Sequence, residues 1–145
     1  MARDDLDRKL LARLQANARE STANIARKLG VARTTVLARM ARLEREGVVV
    51  GYTVRLAHDE GEHGVQAYVG ITVEPKSARD VTRQLGKFTE LKQLSSVSGE
   101  FDYIALLRAE STRRLDALLD DIGELKGVIK TTTSVVLARR IDRGV

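Results

Sequence analysis

No cysteine occurs among the 145 residues, so disulfides and thiolate metal sites are excluded. Proline occurs once, at Pro75, and histidine only at His58 and His63. No apolar stretch approaches the roughly 18 consecutive residues of a membrane span. The opening residues, Met1-Ala2-Arg3-Asp4-Asp5, lack the apolar run of a signal peptide. No segment is of low complexity. The expectation is a soluble, cytoplasmic protein with no membrane partner.

What is present is ordinary in amount and uneven in placement. Hydrophobic residues make up 43% and charged residues 31%, as in common globular proteins. Residues 1–57 hold 12 Lys and Arg against 6 Asp and Glu, a net of +6. The remainder holds 13 against 14, a net of −1, so the whole formal charge of +5 comes from the first part. A localised basic region attracts polyanions, because each phosphate it neutralises releases condensed counterions. A solvated basic surface is the plainer alternative.

Leu6, Leu10, Leu11 and Leu14 recur at helical spacing between Asp4 and Ala18. Ser21 is a good N-cap for a short second helix carrying Ile25, Ala26 and Leu29, and Gly30 stops it. After the turn Gly30-Val31-Ala32, a third helix runs from about Arg33 to Glu46 and ends at Gly47. Val48 to Val54 are β-formers around Gly51 and predict a connecting strand. A polar stretch at 58–64 has no periodicity and marks a boundary.

Beyond it, Ala67–Val73 reads as a strand closed by Pro75, and Ser77 caps a helix bearing Val81, Leu85 and Phe88. Leu91–Val97 and Tyr103–Leu107 read as strands around the turn Ser98-Gly99-Glu100-Phe101-Asp102. Ser111 caps a helix with Leu115, Leu118, Leu119 and Ile122, and a last strand spans about Val128–Leu137. The order βαββαβ is the split-βαβ, ferredoxin-like arrangement. The predicted fold class is α+β: a winged-type helix-turn-helix domain over 1–57, a linker over 58–64 and a ferredoxin-like domain over 65–145. Two helices cover only one face of such a sheet. Alternating apolar residues in Tyr68–Val73 and Val135–Leu137 therefore predict homodimerisation through the other face.

Helix, short helix, tight turn and longer helix is the helix-turn-helix plan, whose last helix enters the major groove. Projected at about 100° per residue, Val36, Leu37, Met40 and Leu43 form the packing face of the third helix. Thr34, Thr35, Ala38, Arg39, Arg42 and Arg45 form the outer face, and Arg33 at the helix start can reach a phosphate. No acidic residue occurs from Arg33 to Leu43. The plainer alternative is a surface helix whose arginines pair with Glu44 and Glu46, with Arg39 bracing its neighbours.

These features converge on a resemblance. Asp4-Asp5-Leu6-Asp7-Arg8-Lys9-Leu10-Leu11, Ile25-Ala26-Arg27-Lys28-Leu29-Gly30-Val31, Thr35-Val36, Arg39-Met40, Arg42-Leu43-Glu44 and Glu46-Gly47-Val48 resemble the Lrp/AsnC, or feast/famine, family. The second part is similar to the same family's regulatory domain at Gly99-Glu100-Phe101-Asp102-Tyr103 and the Thr131–Leu137 strand. Ala32 departs from the serine usual at the start of the family's recognition helix. The resemblance implies a sequence-specific transcription regulator on double-stranded DNA, in the nucleoid of a prokaryotic cytoplasm. It implies dimers joined into tetramers or octamers, with an amino-acid-like effector between dimers and no other cofactor. The effector site maps to Ser98, Gly99, Glu100, Phe101, Asp102 and Tyr103, with Thr131 and Thr133 nearby. Amides around Gly99 would take a carboxylate and Asp102 an amino group; in the plainer reading both residues only shape the turn.

An architectural DNA-binding protein is the alternative, separable by steep salt dependence without sequence preference. Sirohaem decarboxylases also resemble the family on both domains, so the fold does not decide function. Catalysis needs an acid–base or nucleophilic group, and His58 and His63 lie in the predicted linker, so an enzyme is not expected. Their spacing around Asp59, Glu60 and Glu62 is a weak match to a metal site.

Overall fold

The computed structural model describes residues 4–57 and 64–143. His58 and His63, with the acidic residues between them, lie outside the described residues. Contacts divide the chain into two units, 1–54 and 55–145.

The first unit is three helices. α1 spans Asp5–Ala16, α2 Thr22–Leu29 and α3 Arg33–Arg45. Their starts follow side-chain chemistry. Asp4 Oδ1 accepts from the Asp7 amide at 2.9 Å, and Ser21 Oγ accepts from the Asn24 amide at 3.1 Å. α3 begins after Ala32, which offers no side-chain cap. Gly30 closes α2 in the left-handed conformation (φ 68°), where a side chain would be strained. Leu10, Leu14, Ile25, Ala26, Val36 and Leu43 form the core of the unit.

Two expectations for this unit need correction. Val48–Val54 forms no strand or wing: among the described residues, this unit contains no β-structure. A strand requires hydrogen-bonded neighbours, and none is within reach in a single chain. Instead the amides of Val48 and Val49 donate to the Leu43 carbonyl at 2.9 and 3.0 Å, so these residues finish α3. Leu37 is 42% exposed and lies outside the packing face, which consists of Val36, Leu43 and the half-buried Met40.

The second unit is an antiparallel sheet with helices on one face. Its strands are β1 Val65–Val73, β2 Leu91–Ser96, β3 Tyr103–Ala109 and β4 Val128–Val135, in spatial order β2-β3-β1-β4. α4 spans Ala78–Leu85 after a 3₁₀ turn at Pro75–Ser77, and α5 spans Thr112–Gly123. Ala67, Val69, Ile71 and Val73 alternate along β1 towards the helices and meet Val81, Leu85, Leu115, Leu118 and Ile122. Ser111 caps α5 as expected, its Oγ accepting from the Arg114 amide at 3.1 Å. Ser77 caps nothing: the preceding 3₁₀ turn places it in helical geometry, with its hydroxyl away from the first amides of α4.

Register settles what each face carries. Gly70 pairs with Ile104 and Thr132, and Tyr68 with Leu106 and Ser134. These residues share the face without helices, where Tyr68 is 40% exposed. Val135 pairs with Ala67 and therefore lies on the helix side, and Leu137 lies beyond the strand. The expectation that both Val135 and Leu137 line the open face is thus corrected.

Candidate nucleic-acid interface

The outward stripe of α3 is set by its arginines, though not by their exposure. Asp7 of α1 is a fully buried carboxylate. It accepts from Arg39 at 3.2 Å and from Arg42, while Arg39 also pairs with Asp4. The Arg39 guanidinium holds the Asp4 carboxyl below its ordinary range, helped by the Asp7 amide. The two central arginines of α3 therefore lie against α1 and lock the rotation of the helix. This departs from the free outer face expected for both and, for Arg39, matches the alternative of bracing the helix against its neighbours. Among the described residues neither Glu44 nor Glu46 pairs with an arginine of α3, and Glu44 accepts from the Tyr52 hydroxyl at 2.8 Å.

With Arg39 and Arg42 turned inwards, α3 presents Arg33, Thr34, Leu37, Ala38, Ala41, Glu44 and Arg45, all exposed. Thr34, Leu37, Ala38, Ala41 and Arg45 follow the i, i+3, i+4, i+7, i+11 spacing of a single stripe. Thr35 lies half-buried at its flank. Among the described residues, no carboxylate pairs with Arg33 or Arg45. Of the expected residues, the structure thus brings Arg33, Thr34, Ala38 and Arg45 together, places Thr35 at the edge and holds Arg39 and Arg42, each about a quarter exposed, against α1. Leu37 and Ala41 were missed, although their spacing from Thr34 was the available signal.

Two further exposed cations adjoin α2. Arg19 precedes its cap, and Arg27, which donates to the Asn24 amide oxygen, sits in its last turn. The other basic residue of that turn, Lys28, is tied to Glu20 at 3.1 Å. Glu20 also accepts from Arg13 Nε at 2.6 Å and from Asn24. The Arg13 hydrogen bond leads the causes that hold the Glu20 carboxyl at about 2, against a smaller opposing effect of desolvation. In a helix-turn-helix the helix preceding the reader crosses the backbone, so Arg19 and Arg27 are the cations available there.

The second set of candidates lies in the other unit. Ser98, Gly99 and Glu100 are exposed at the tip between β2 and β3, and Gly99 takes φ 102°. Asp102 anchors the turn: Oδ2 accepts from the Val73 amide at 2.8 Å, and its own amide donates to the Ile71 carbonyl at 3.0 Å. One carboxylate oxygen is therefore engaged in structure. The Phe101 ring lies on Gly70, where any Cβ would come within 2.7 Å of it. Tyr103 and Thr131 both pair with Ile71, and Thr133 pairs with Val69. The two threonines are half-buried on the helix side, whereas Phe101 covers the open face. The candidates thus share one end of the sheet but divide between its faces.

Comparison with known proteins agrees with this architecture. The family model of the AsnC-type helix-turn-helix domain matches residues 4–44, and that of the Lrp/AsnC ligand binding domain matches residues 66–145. The chain is 34% identical over 137 residues to the HTH-type transcriptional regulator LrpA of Mycobacterium tuberculosis, covering 94% of this chain and 91% of that protein. The feast or famine regulatory protein from M. tuberculosis, solved with L-methionine, superposes with a TM-score of 0.83 at 33% identity, covering 99% of this chain and 97% of that one. Escherichia coli AsnC superposes at 0.84 with 23% identity, covering 100% and 99%, a likeness of fold.

Proposed function

The chain belongs to the Lrp/AsnC family of transcription regulators, and from that premise we propose how this DNA-binding regulator is assembled and controlled. It acts as a homodimer, or a higher assembly of dimers, that binds operator DNA through two α3 helices and responds to an amino acid at the β2–β3 turn. The observation that carries the DNA contact is the exposed stripe of α3, with Thr34, Leu37, Ala38 and Ala41 at its centre and, at its ends, Arg33 and Arg45, which no carboxylate among the described residues pairs with. Hydroxyl and methyl groups suit base edges, and terminal arginines suit flanking phosphates. Neither the architectural nor the decarboxylase alternative draws support from the family matches.

Two features support a second copy of the chain. The open sheet face exposes Tyr68 beside half-buried Ile104 and Leu106. Val50, Tyr52, Val54 and Leu56 are 95%, 52%, 75% and 61% exposed at alternate positions, a strand pattern without a neighbour. A two-fold partner would bury the first and pair the second, and its symmetry suits a palindromic operator. An amino-acid effector rests on the family's ligand-binding domain and on the exposed tip around Gly99, where backbone amides meet solvent. The methionine held by the M. tuberculosis relative makes L-methionine the first compound to try.

The test is DNA binding by fluorescence anisotropy, with assembly mass by light scattering, each with and without every amino acid. A mass of at least a dimer and a preference of roughly 1,000-fold for a selected operator over random duplex are expected. One amino acid should shift affinity or mass. A monomer, or equal affinity for all sequences, would overturn the assembly or the specificity respectively. Indifference to all twenty would remove the amino-acid effector.

A further inference from the structure

We propose that α3 recognises its site chiefly through the C5-methyl groups of thymine, using an apolar patch made by Leu37, Ala38 and Ala41 beside Thr34. This rests on the regulator reading above and states what its reading helix recognises. The patch is a place where the unit's packing rule is broken. Leu10 and Leu43 are each 1% exposed and Ile25 is 0%, yet Leu37 in mid-helix is 42% exposed. Ala38 and Ala41 lie beside it on the same stripe and are also exposed. Their small side chains let the helix backbone approach a groove floor closely.

The chemistry of the stripe narrows what it can read. α3 contains no Asn or Gln, the side chains that grip adenine through two hydrogen bonds. Guanine is most often read by an arginine or lysine, but Arg39 and Arg42 are committed to Asp4 and Asp7. The remaining arginines, Arg33 and Arg45, stand at the two ends of the helix. Between them the stripe offers methyl and methylene groups and the Thr34 hydroxyl, with Glu44 exposed at its edge and bonded to the Tyr52 hydroxyl. In the major groove the apolar feature of an unmodified base edge is the thymine methyl. The Asp7 contacts fix the rotation of the helix, so this face, and not the arginine face, meets the bases.

The full-length protein is used to select an operator from a random duplex library, and each thymine is then replaced singly by deoxyuridine, which lacks only the methyl. At one or two steps per half-site, uracil weakens binding about fourfold, the worth of one methyl at about 0.8 kcal/mol. The exposed Leu37 tolerates truncation, and Leu37→Ala, checked for an unchanged melting temperature, abolishes that sensitivity at the contacted step. Sensitivity that survives Leu37→Ala and the corresponding Ala38→Gly and Ala41→Gly variants would assign the effect to DNA shape and overturn the proposal. A selected operator bound equally well with uracil at every step overturns it while leaving the regulator intact. Failure to select any preferred sequence would instead sink the specificity on which the proposal rests.

Discussion

Replacing Asp7 by asparagine tests whether the inward arginines hold the reading helix. The Asp7 side chain is 1% exposed, and those of Arg39 and Arg42 are 27% and 25% exposed. Asparagine keeps the shape but removes the charge that both guanidiniums face. Breaking a fully buried pair from one side costs about 3–5 kcal/mol, because the remaining charge stays desolvated. Here each arginine is about a quarter exposed and can recover part of its hydration, so about 2–3 kcal/mol is expected. Arg42 relaxes least, since its Nε is already buried without a partner. In a unit of this size the loss lowers the melting temperature by roughly 10–20 °C. The assay is urea and thermal unfolding of the full chain, with the transitions of the two units resolved separately. A cycle of Asp7→Asn with Arg42→Met should be strongly non-additive, because the double variant leaves neither partner charged. A single variant within about 0.5 kcal/mol of the parent, or an additive cycle, would refute the clamp. Arg42→Ala should then weaken DNA binding only as far as it unfolds the unit.

Three other outcomes follow from the same contacts. Arg45→Ala should leave the melting temperature unchanged and lower the slope of log affinity against log salt by about one phosphate contact, read by anisotropy across salt concentrations. Glu20, held at about 2 against an ordinary 4.5, binds its proton more readily in the unfolded chain. Its contribution is complete above about 4.5 and is lost as pH falls towards 2, and Asp4 adds to this with the same sign. Unfolding midpoints across that window should fall, and Glu20→Gln should flatten the fall. Gly70→Ala places a Cβ 2.7 Å from the Phe101 ring, which must swing off the sheet. A loss of about 1–3 kcal/mol is expected from such overpacking, with a changed amino-acid response if the turn is the effector site. An unchanged unfolding midpoint would show that the ring has no fixed seat there.

Most elements were legible because their signals are local. Ser21, Gly30, Ser111 and the leucine periodicities act within a few residues, and each helix and sheet strand expected from them formed. The misreadings share a physical cause: the deciding partner is distant in sequence or absent from the chain. Val48–Val54 has the residues of a strand but no neighbour to pair with. Val135 looked ready for the open face until its pairing with Ala67 placed it on the other. Arg39 and Arg42 are 32 and 35 residues from the carboxylate that claims them, and no helical projection contains that carboxylate.

The arginines also change what the charge count means. The excess of +6 in residues 1–57 is already net of their carboxylates, so the ion pairs decide where that charge sits and leave its size unchanged. Lys9 pairs with Asp5, Arg13 and Lys28 with Glu20, and Arg39 and Arg42 with Asp4 and Asp7. Among the described residues outside these pairs, the exposed Arg19, Arg27, Arg33 and Arg45 lie around α2 and at the two ends of α3. A uniformly cationic surface would bind duplex DNA wherever it landed. Cations placed around an apolar centre favour only registers in which phosphates meet the ends and methyl groups meet the middle. On the proposed reading, therefore, the neutralisation of the central arginines contributes to specificity: it removes sequence-independent attraction from the part of the helix proposed to read the bases.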